Sequence, residues 1–132
     1  MRFVDTSFWI ALRFSRDDHH EVARGLWSTG EGGVLLTTNH VAGETWTFLR
    51  RRIGHAEARG FIDNLDRTDR VSVVHVDDPT EADAWAWLRR HDERPYSFVD
   101  ATSFAIMRRQ RIREAFAFDG DFSAAGFVEV RP

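Results

Sequence analysis

Five carboxylates mark the chemistry open to this chain: Asp5, Glu44, Asp100, Asp119 and Asp121. Four of them stand at the edge of a short apolar stretch that reads as a buried element, with Asp5 in RFVDTS and the last pair in AFAFDGDF. A carboxylate leaving a hydrophobic strand loses much of its hydration, and several meeting in one pocket repel one another unless a cation sits between them. The pattern points to a metal site. Hard divalent cations want oxygen ligands, and Mg²⁺ or Mn²⁺ held by a few carboxylates keeps waters that can be activated or exchanged for phosphate oxygens.

Alternating elements must position these acids. Phe3 to Asp5 reads as a strand and Ser7 to Phe14 as helical. Asp18 opens a helix through Val22, Leu26 and Trp27 that ends at Gly30, and Gly32 with Gly33 turns the chain. Val34 to Thr38 is a second apolar strand, followed by a helix from about His40 to Ile53 that Gly54 stops, and by another over His55 to Leu65. Val71 to Val76 alternates as a strand does. The DPTE run at Asp78 to Glu81 is a helix start, with an N-cap acid, proline at the first helical position and glutamate at the third. Pro95 interrupts, Ser97 to Asp100 is a capping box opening a helix through Phe104 and Met107, Ala115 to Phe118 is a strand, and Phe127 to Val130 closes the chain as another. This order predicts an α/β fold, a three-layer α/β/α sandwich with a mainly parallel central sheet.

On those elements Asp5 and Asp119 fall at the carboxyl ends of strands, where open α/β sheets bind ligands. Asp100 falls in the first turn of a helix, and Glu44 on the row Val41, Glu44, Phe48, which makes it face inward. Each acid also has a structural explanation. Asp5 can cap the helix after it, Asp100 can complete the box begun by Ser97, Asp119-Gly120 can be a turn, and Glu44 can pair with Arg51 or Arg52. One shared site is the more economical account of all five.

At 132 residues the chain, 1–132, is expected to be a single domain, large enough to bury roughly 70% of the surface its unfolded form exposes. It has no cysteine, which excludes disulfide scaffolds and thiolate-bound zinc and fits a reducing cytoplasm. Neither a signal peptide nor a membrane span is evident, so a soluble cytoplasmic protein is expected. All 18 basic residues are arginine, against a formal net charge of -3. That usage fits both a GC-rich genome and phosphate recognition. The lack of lysine argues against receiver domains and haloacid-dehalogenase phosphatases, which also set aspartates at strand ends but use a lysine on the phosphoryl oxygens. Arg50 to Arg52, Arg89 with Arg90, and the run from Arg108 to Arg113 are candidates to track phosphates on the rim, or are simply solvated helix faces. The six histidines show no tight metal-ligand spacing and none is assigned to the site. Trp85 shares a helical stripe with Leu88 and is expected in the core, whereas Trp87, off that stripe, suits an interface.

RFVDTSFWIAL, the glutamate of HVAGETWTFLRRR, YSFVDATSFAIMRR and AFAFDGDFSAAGF together resemble the four acidic motifs of PIN-domain ribonucleases, in their order and over nearly the whole chain. The length is most similar to VapC toxins of bacterial toxin-antitoxin pairs. The resemblance implies that Asp5, Glu44, Asp100 and Asp119 are the metal-centred catalytic acids. It also implies that Asp121 is a fifth acid, that Ser7 is a hydroxyl beside the site, and that His20 in DHHEVA is structural. It further implies Mg²⁺- or Mn²⁺-assisted hydrolysis of RNA phosphodiesters, with one ion or two, and a homodimer inhibited by a cognate antitoxin that reaches the acidic groove. A PIN nuclease acting in RNA processing or on flapped DNA remains an alternative, as does a non-catalytic interaction module whose acids bind a structural cation or a basic partner.

Overall fold

Phe3 and Val4 have no exposed surface, and the strand they form is the centre of the sheet in this computed structural model, which describes residues 1–30 and 33–132. A strand covered on both faces needs apolar residues without alternation, which is what these two supply. The strands are β1 (Arg2–Val4), β2 (Leu35–Thr38), β3 (Val71–Val74), β4 (Glu114–Phe116) and β5 (Val128–Glu129). All pairings are parallel, in the order β3-β2-β1-β4-β5, with Phe3 opposite both Leu36 and Ala115. The helices among the described residues are α1 (Thr6–Arg13), α2 (His20–Ser28), α3 (Asn39–Arg52), α4 (His55–Arg67), α5 (Asp78–Arg90), α6 (Phe98–Gln110) and the single turn α7 (Asp121–Ala124). The chain leaves β1 toward β2 on one side and returns as β4 on the other. The carboxyl ends of β1 and β4 therefore border the crevice where such sheets bind ligands.

Local chemistry explains the element edges. Thr38 ends β2 and caps α3 by accepting from the Val41 amide at 3.1 Å, while the Thr37 hydroxyl donates to the Val4 carbonyl at 2.9 Å. Gly54 stands at φ +146, a conformation side chains rarely adopt, and this lets α4 start directly after α3. α6 is buried around its circumference from Asp100 to Met107, as expected of a helix packed among α5, α3 and α7. Phe104 at its middle meets Trp87, Phe122 and Phe127 at ring separations of 5.1, 4.9 and 5.5 Å. Each such burial contributes roughly 1.5–3 kcal/mol, and together they tie α5, α6 and α7 into one body.

Several expectations need correction. The N-cap of α5 is Asp77, whose side chain accepts from the Thr80 amide at 3.0 Å, so Asp78 is already helical. The buried row of α5 is Thr80, Ala84 and Trp87, not the stripe through Trp85 and Leu88. Trp87 is accordingly 7% exposed and in the core, while Trp85 is 44% exposed, the reverse of the expected pair. α2 starts at His20, two residues after Asp18, because Asp17 first accepts from the His19 amide in a side-chain turn. β4 ends at Phe116, leaving Ala117 and Phe118 as the approach to Asp119, and β3 ends at Val74. Gly33, at φ +58, fits the expected turn, whereas Gly32 lies outside the described residues. No helix is long and apolar enough to cross a membrane, a statement that covers the described residues.

Candidate active site

Asp5 follows β1 immediately and is 2% exposed. Its Oδ2 accepts from the Ser7 amide at 3.1 Å and from the Ser7 hydroxyl at 2.7 Å, so it caps α1 while staying at the crevice. The same hydroxyl accepts from the Phe118 amide at 3.0 Å and thereby holds the loop that carries Asp119 against the end of β1. Asp100, 8% exposed, accepts the Ser97 amide at Oδ2 (3.0 Å) while the Ser97 hydroxyl accepts the Asp100 amide (2.9 Å), closing the expected capping box. Asp119 accepts the Asp121 amide at Oδ1 (3.1 Å), and Asp121 accepts Arg94 at Oδ1. One regularity runs through all four: each carboxylate commits one oxygen to holding itself in place and has the other unpartnered among the described residues. Asp100, Asp119 and Asp121 bring one oxygen each within 4.8 Å of one another.

Burial pushes Asp5 up to about 8, with the Asp119 charge raising it further and the Asp100 charge adding to that, against the Ser7 hydrogen bonds. Burial also moves Asp100 to about 6, with Asp119 and Asp121 contributing. Asp119, exposed on one side, is raised too, by desolvation first and then by Asp121 and Glu129. A cluster this reluctant to ionise is one that a divalent cation would complete. The donor set is all oxygen, which fits Mg²⁺ or Mn²⁺ and not a softer metal.

The two structural accounts of Asp5 and Asp100 are true and do not compete with a site role, since the caps use one oxygen apiece. Glu44 departs from expectation. The inward row of α3 is Val41, Thr45 and Leu49, one position over, so Glu44 is exposed, with no ion pair or side-chain hydrogen bond among the described residues. It is outside the converging trio. The arginine run after Met107 is also displaced: Arg108 to Arg111 end α6, roughly 12–16 Å along the helix from Asp100. There Arg109 pairs with Asp83 at 2.7 Å and shares a cleft with Arg90 and Arg108. Arg52 is different, because its guanidinium lies 5.5 Å from the Phe48 ring, and Phe48 lines a depression of about 250 Å³ together with Ser7, His19, Phe118 and Asp119.

Three contributors were not singled out from sequence. Arg94, in the loop before α6, donates to Asp121 from Nε at 3.0 Å and Nη2 at 2.9 Å. Glu129, its side chain buried, accepts the Gly120 amide at 3.3 Å and the Ser123 amide at 3.0 Å and so braces the Asp119–Asp121 turn. The exposed ring of His19 stacks on Phe118 at 4.5 Å beside the acids, whereas His20 donates from Nδ1 to the Ala11 carbonyl and is structural, as expected. Nothing in the spacing of Arg94 or Glu129 separates them from ordinary surface charges.

Residues 2–128 match the family model described as the PIN domain. The chain is 57% identical over 132 residues to the 23S rRNA-specific endonuclease VapC20 of Mycobacterium tuberculosis, covering 100% of this chain and 99% of that one. It is 26% identical over 124 residues to a VapC ribonuclease of Archaeoglobus fulgidus, covering 91% of this chain and 78% of the relative. A crystal structure of Mycobacterium tuberculosis VapC20, described as a sarcin-ricin loop cleaving toxin, superposes with a TM-score of 0.95 at 55% identity over the whole of both chains.

Proposed function

The chain belongs to the PIN-domain family, and on that basis we propose that it is a metal-dependent endoribonuclease, the toxin of a toxin-antitoxin pair, acting on the sarcin-ricin loop of 23S rRNA. The observation that carries this reading is the set of four carboxylates at the crevice, each fixed by one oxygen and presenting the other. Asp5, Asp100 and Asp119 would hold Mg²⁺ or Mn²⁺, with Glu44, exposed on α3, as an outer acid. The ion supplies a water of lowered pKa and positive charge against the phosphoryl oxygens. Ser7 orients Asp5 through its 2.7 Å hydrogen bond. The rings of Phe48, Phe118 and His19 beside Asp119 suit unpaired bases splayed from a loop, and Arg52 suits the phosphates that follow. The full-length match to a toxin supports a cytoplasmic homodimer held inactive by a cognate antitoxin.

The test uses purified protein, Mn²⁺ and an RNA hairpin carrying the sarcin-ricin loop, beside the same nucleotides in scrambled order, with cut sites mapped by 5′-end sequencing. Cleavage confined to the loop and abolished by chelator, by Asp5→Asn and by Asp100→Asn is expected. Undiminished cleavage by the two variants would remove the catalytic assignment, and equal cutting of the scrambled RNA would remove the substrate.

A further inference from the structure

Three rings line the depression beside Asp119, those of Phe48, Phe118 and His19. Two of them are already engaged. Phe48 carries the Arg52 guanidinium at 5.5 Å, and Phe118 carries that of Arg131 at 4.8 Å as well as the His19 ring. The exposed ring of His19 has no second ring against it and no hydrogen bond to either nitrogen among the described residues. Behind it the rings run inward nearly parallel. His19 and Phe118 lie within 4° of one another, Phe118 and Phe8 within 19° at 5.9 Å, and Phe8 and Phe116 within 23° at 4.7 Å. Phe8 and Phe116 belong to the buried core, so the surface ring is backed by fixed aromatic packing. The His19 side chain is also free of the usual duty of its position. It is the N-cap of α2, where Ser, Thr, Asp or Asn would bond the first turn, yet it makes no such bond. Asp17 sets its backbone instead, accepting the His19 amide at Oδ1 (2.8 Å) and the His20 amide at its carbonyl (3.0 Å).

We propose that the outer face of His19 is a nucleobase platform: one unpaired base of the RNA loop stacks on the imidazole, within one nucleotide of the bond that is cut, and Phe118 supports the stack from beneath. The inference deepens the ribonuclease reading and rests on it. His19 lines the same depression as Asp119, so a base on the ring keeps its own phosphate next to the acids. A base splayed from a loop has a free face to give, and an aromatic ring held in place takes it at little cost in ordering. Phe118 joins the platform to the chemistry, because its amide donates to the Ser7 hydroxyl that fixes Asp5 and its chain leads directly to Asp119. Shielding Phe118 from water would also account for a side chain at position 19. An aliphatic residue would do that as well as an imidazole, which separates the two roles.

Affinity for the sarcin-ricin hairpin tests this by fluorescence anisotropy in the Asp5→Asn background, on the intact RNA and on a series in which one loop nucleotide at a time is abasic. One abasic position, within one nucleotide of the mapped cut, is expected to lower affinity about 5- to 100-fold. His19→Ala should lose as much on the intact RNA and at most about twofold more at that one position, while the penalties at all other positions persist. His19→Leu, which still covers Phe118, should bind like His19→Ala, and His19→Phe should stay within about threefold of the parent. Parental affinity in His19→Leu, a loss in His19→Phe equal to that in His19→Ala, abasic penalties that all persist in His19→Ala, or coupling only to a nucleotide farther from the cut would each overturn the platform and leave the ribonuclease reading standing. A hairpin that the native protein with Mn²⁺ neither binds nor cuts would overturn both.

Discussion

The hydroxyl of Ser7 donates to Oδ2 of Asp5 at 2.7 Å while accepting the amide of Phe118, so one side chain fixes the buried acid and the loop leading to Asp119 at once. Ser7→Ala keeps the backbone cap of α1 but leaves the Phe118 amide without its partner. A cost of about 1–3 kcal/mol in urea unfolding is expected, with Mn²⁺ affinity falling about 10- to 100-fold. Unchanged affinity in a calorimetric titration would show that the hydroxyl positions nothing the metal needs.

The buried acids make metal-free stability depend on pH in a set direction. Asp5 at about 8 and Asp100 at about 6 both lie above the 3.8 they would have in the unfolded chain. The folded state therefore holds the extra protons. The stability these groups give is fully present below about pH 4 and is lost as pH rises through 6 and then 8. Between pH 5 and 9 the metal-free protein should lose on the order of 2–5 kcal/mol, and Asp5→Asn should flatten most of that slope. Saturating Mn²⁺ competes with the same protons and should restore the melting temperature most at high pH. Thermal melts with chelator and with Mn²⁺ across this range decide it, and a level metal-free profile would contradict the burial described for Asp5.

Phosphate guidance is assigned to Arg52 and not to the arginine run at the end of α6. Arg52→Ala should lower the salt slope of RNA binding by about 1, and the double substitution Arg108→Ala with Arg109→Ala should leave it level. Fluorescence anisotropy with a catalytically inactive Asp5→Asn background at four salt concentrations separates the two. A larger change from the α6 pair would return that end of the molecule to the RNA path.

Phe122, fully buried next to Asp121, packs on Phe3 at 6.0 Å and Phe104 at 4.9 Å. Phe122→Ala should cost about 3–5 kcal/mol and release the turn that Glu129 braces, so that Mn²⁺ affinity falls even at temperatures where the variant remains folded. Affinity equal to the native value in the folded variant would uncouple this packing from the site.

Much of this arrangement is legible in the chain itself, for identifiable reasons. Asp5, Asp100 and Asp119 announce themselves because an acid beside a continuous apolar run is costly and therefore purposeful, and the parallel sheet follows from strands alternating with capped helices. Ser97 and Asp100 are readable because a capping box is a contact between near neighbours. Glu44 and the Trp85–Trp87 pair were placed from helical rows, and a row chosen one or two residues off points the other way, because each residue turns the helix by about 100°. Arg94 and Glu129 were out of reach because their meaning lies in partners 27 and 9 residues away, across loops whose path no local pattern encodes.

The hydrogen bond from Phe118 to Ser7 spans 111 positions of sequence and joins the loop after β4 to the start of α1, beside neighbouring strands at the middle of the sheet. Contacts of such separation form late in folding, after the cost of closing a long loop has been met by everything between. A chain that has built only its first two strands and their helices carries Asp5 and Glu44 but none of Asp100, Asp119 or Arg94. Partly folded molecules of this protein thus lack most of the acids of the proposed metal site, which come together only in the last steps of folding.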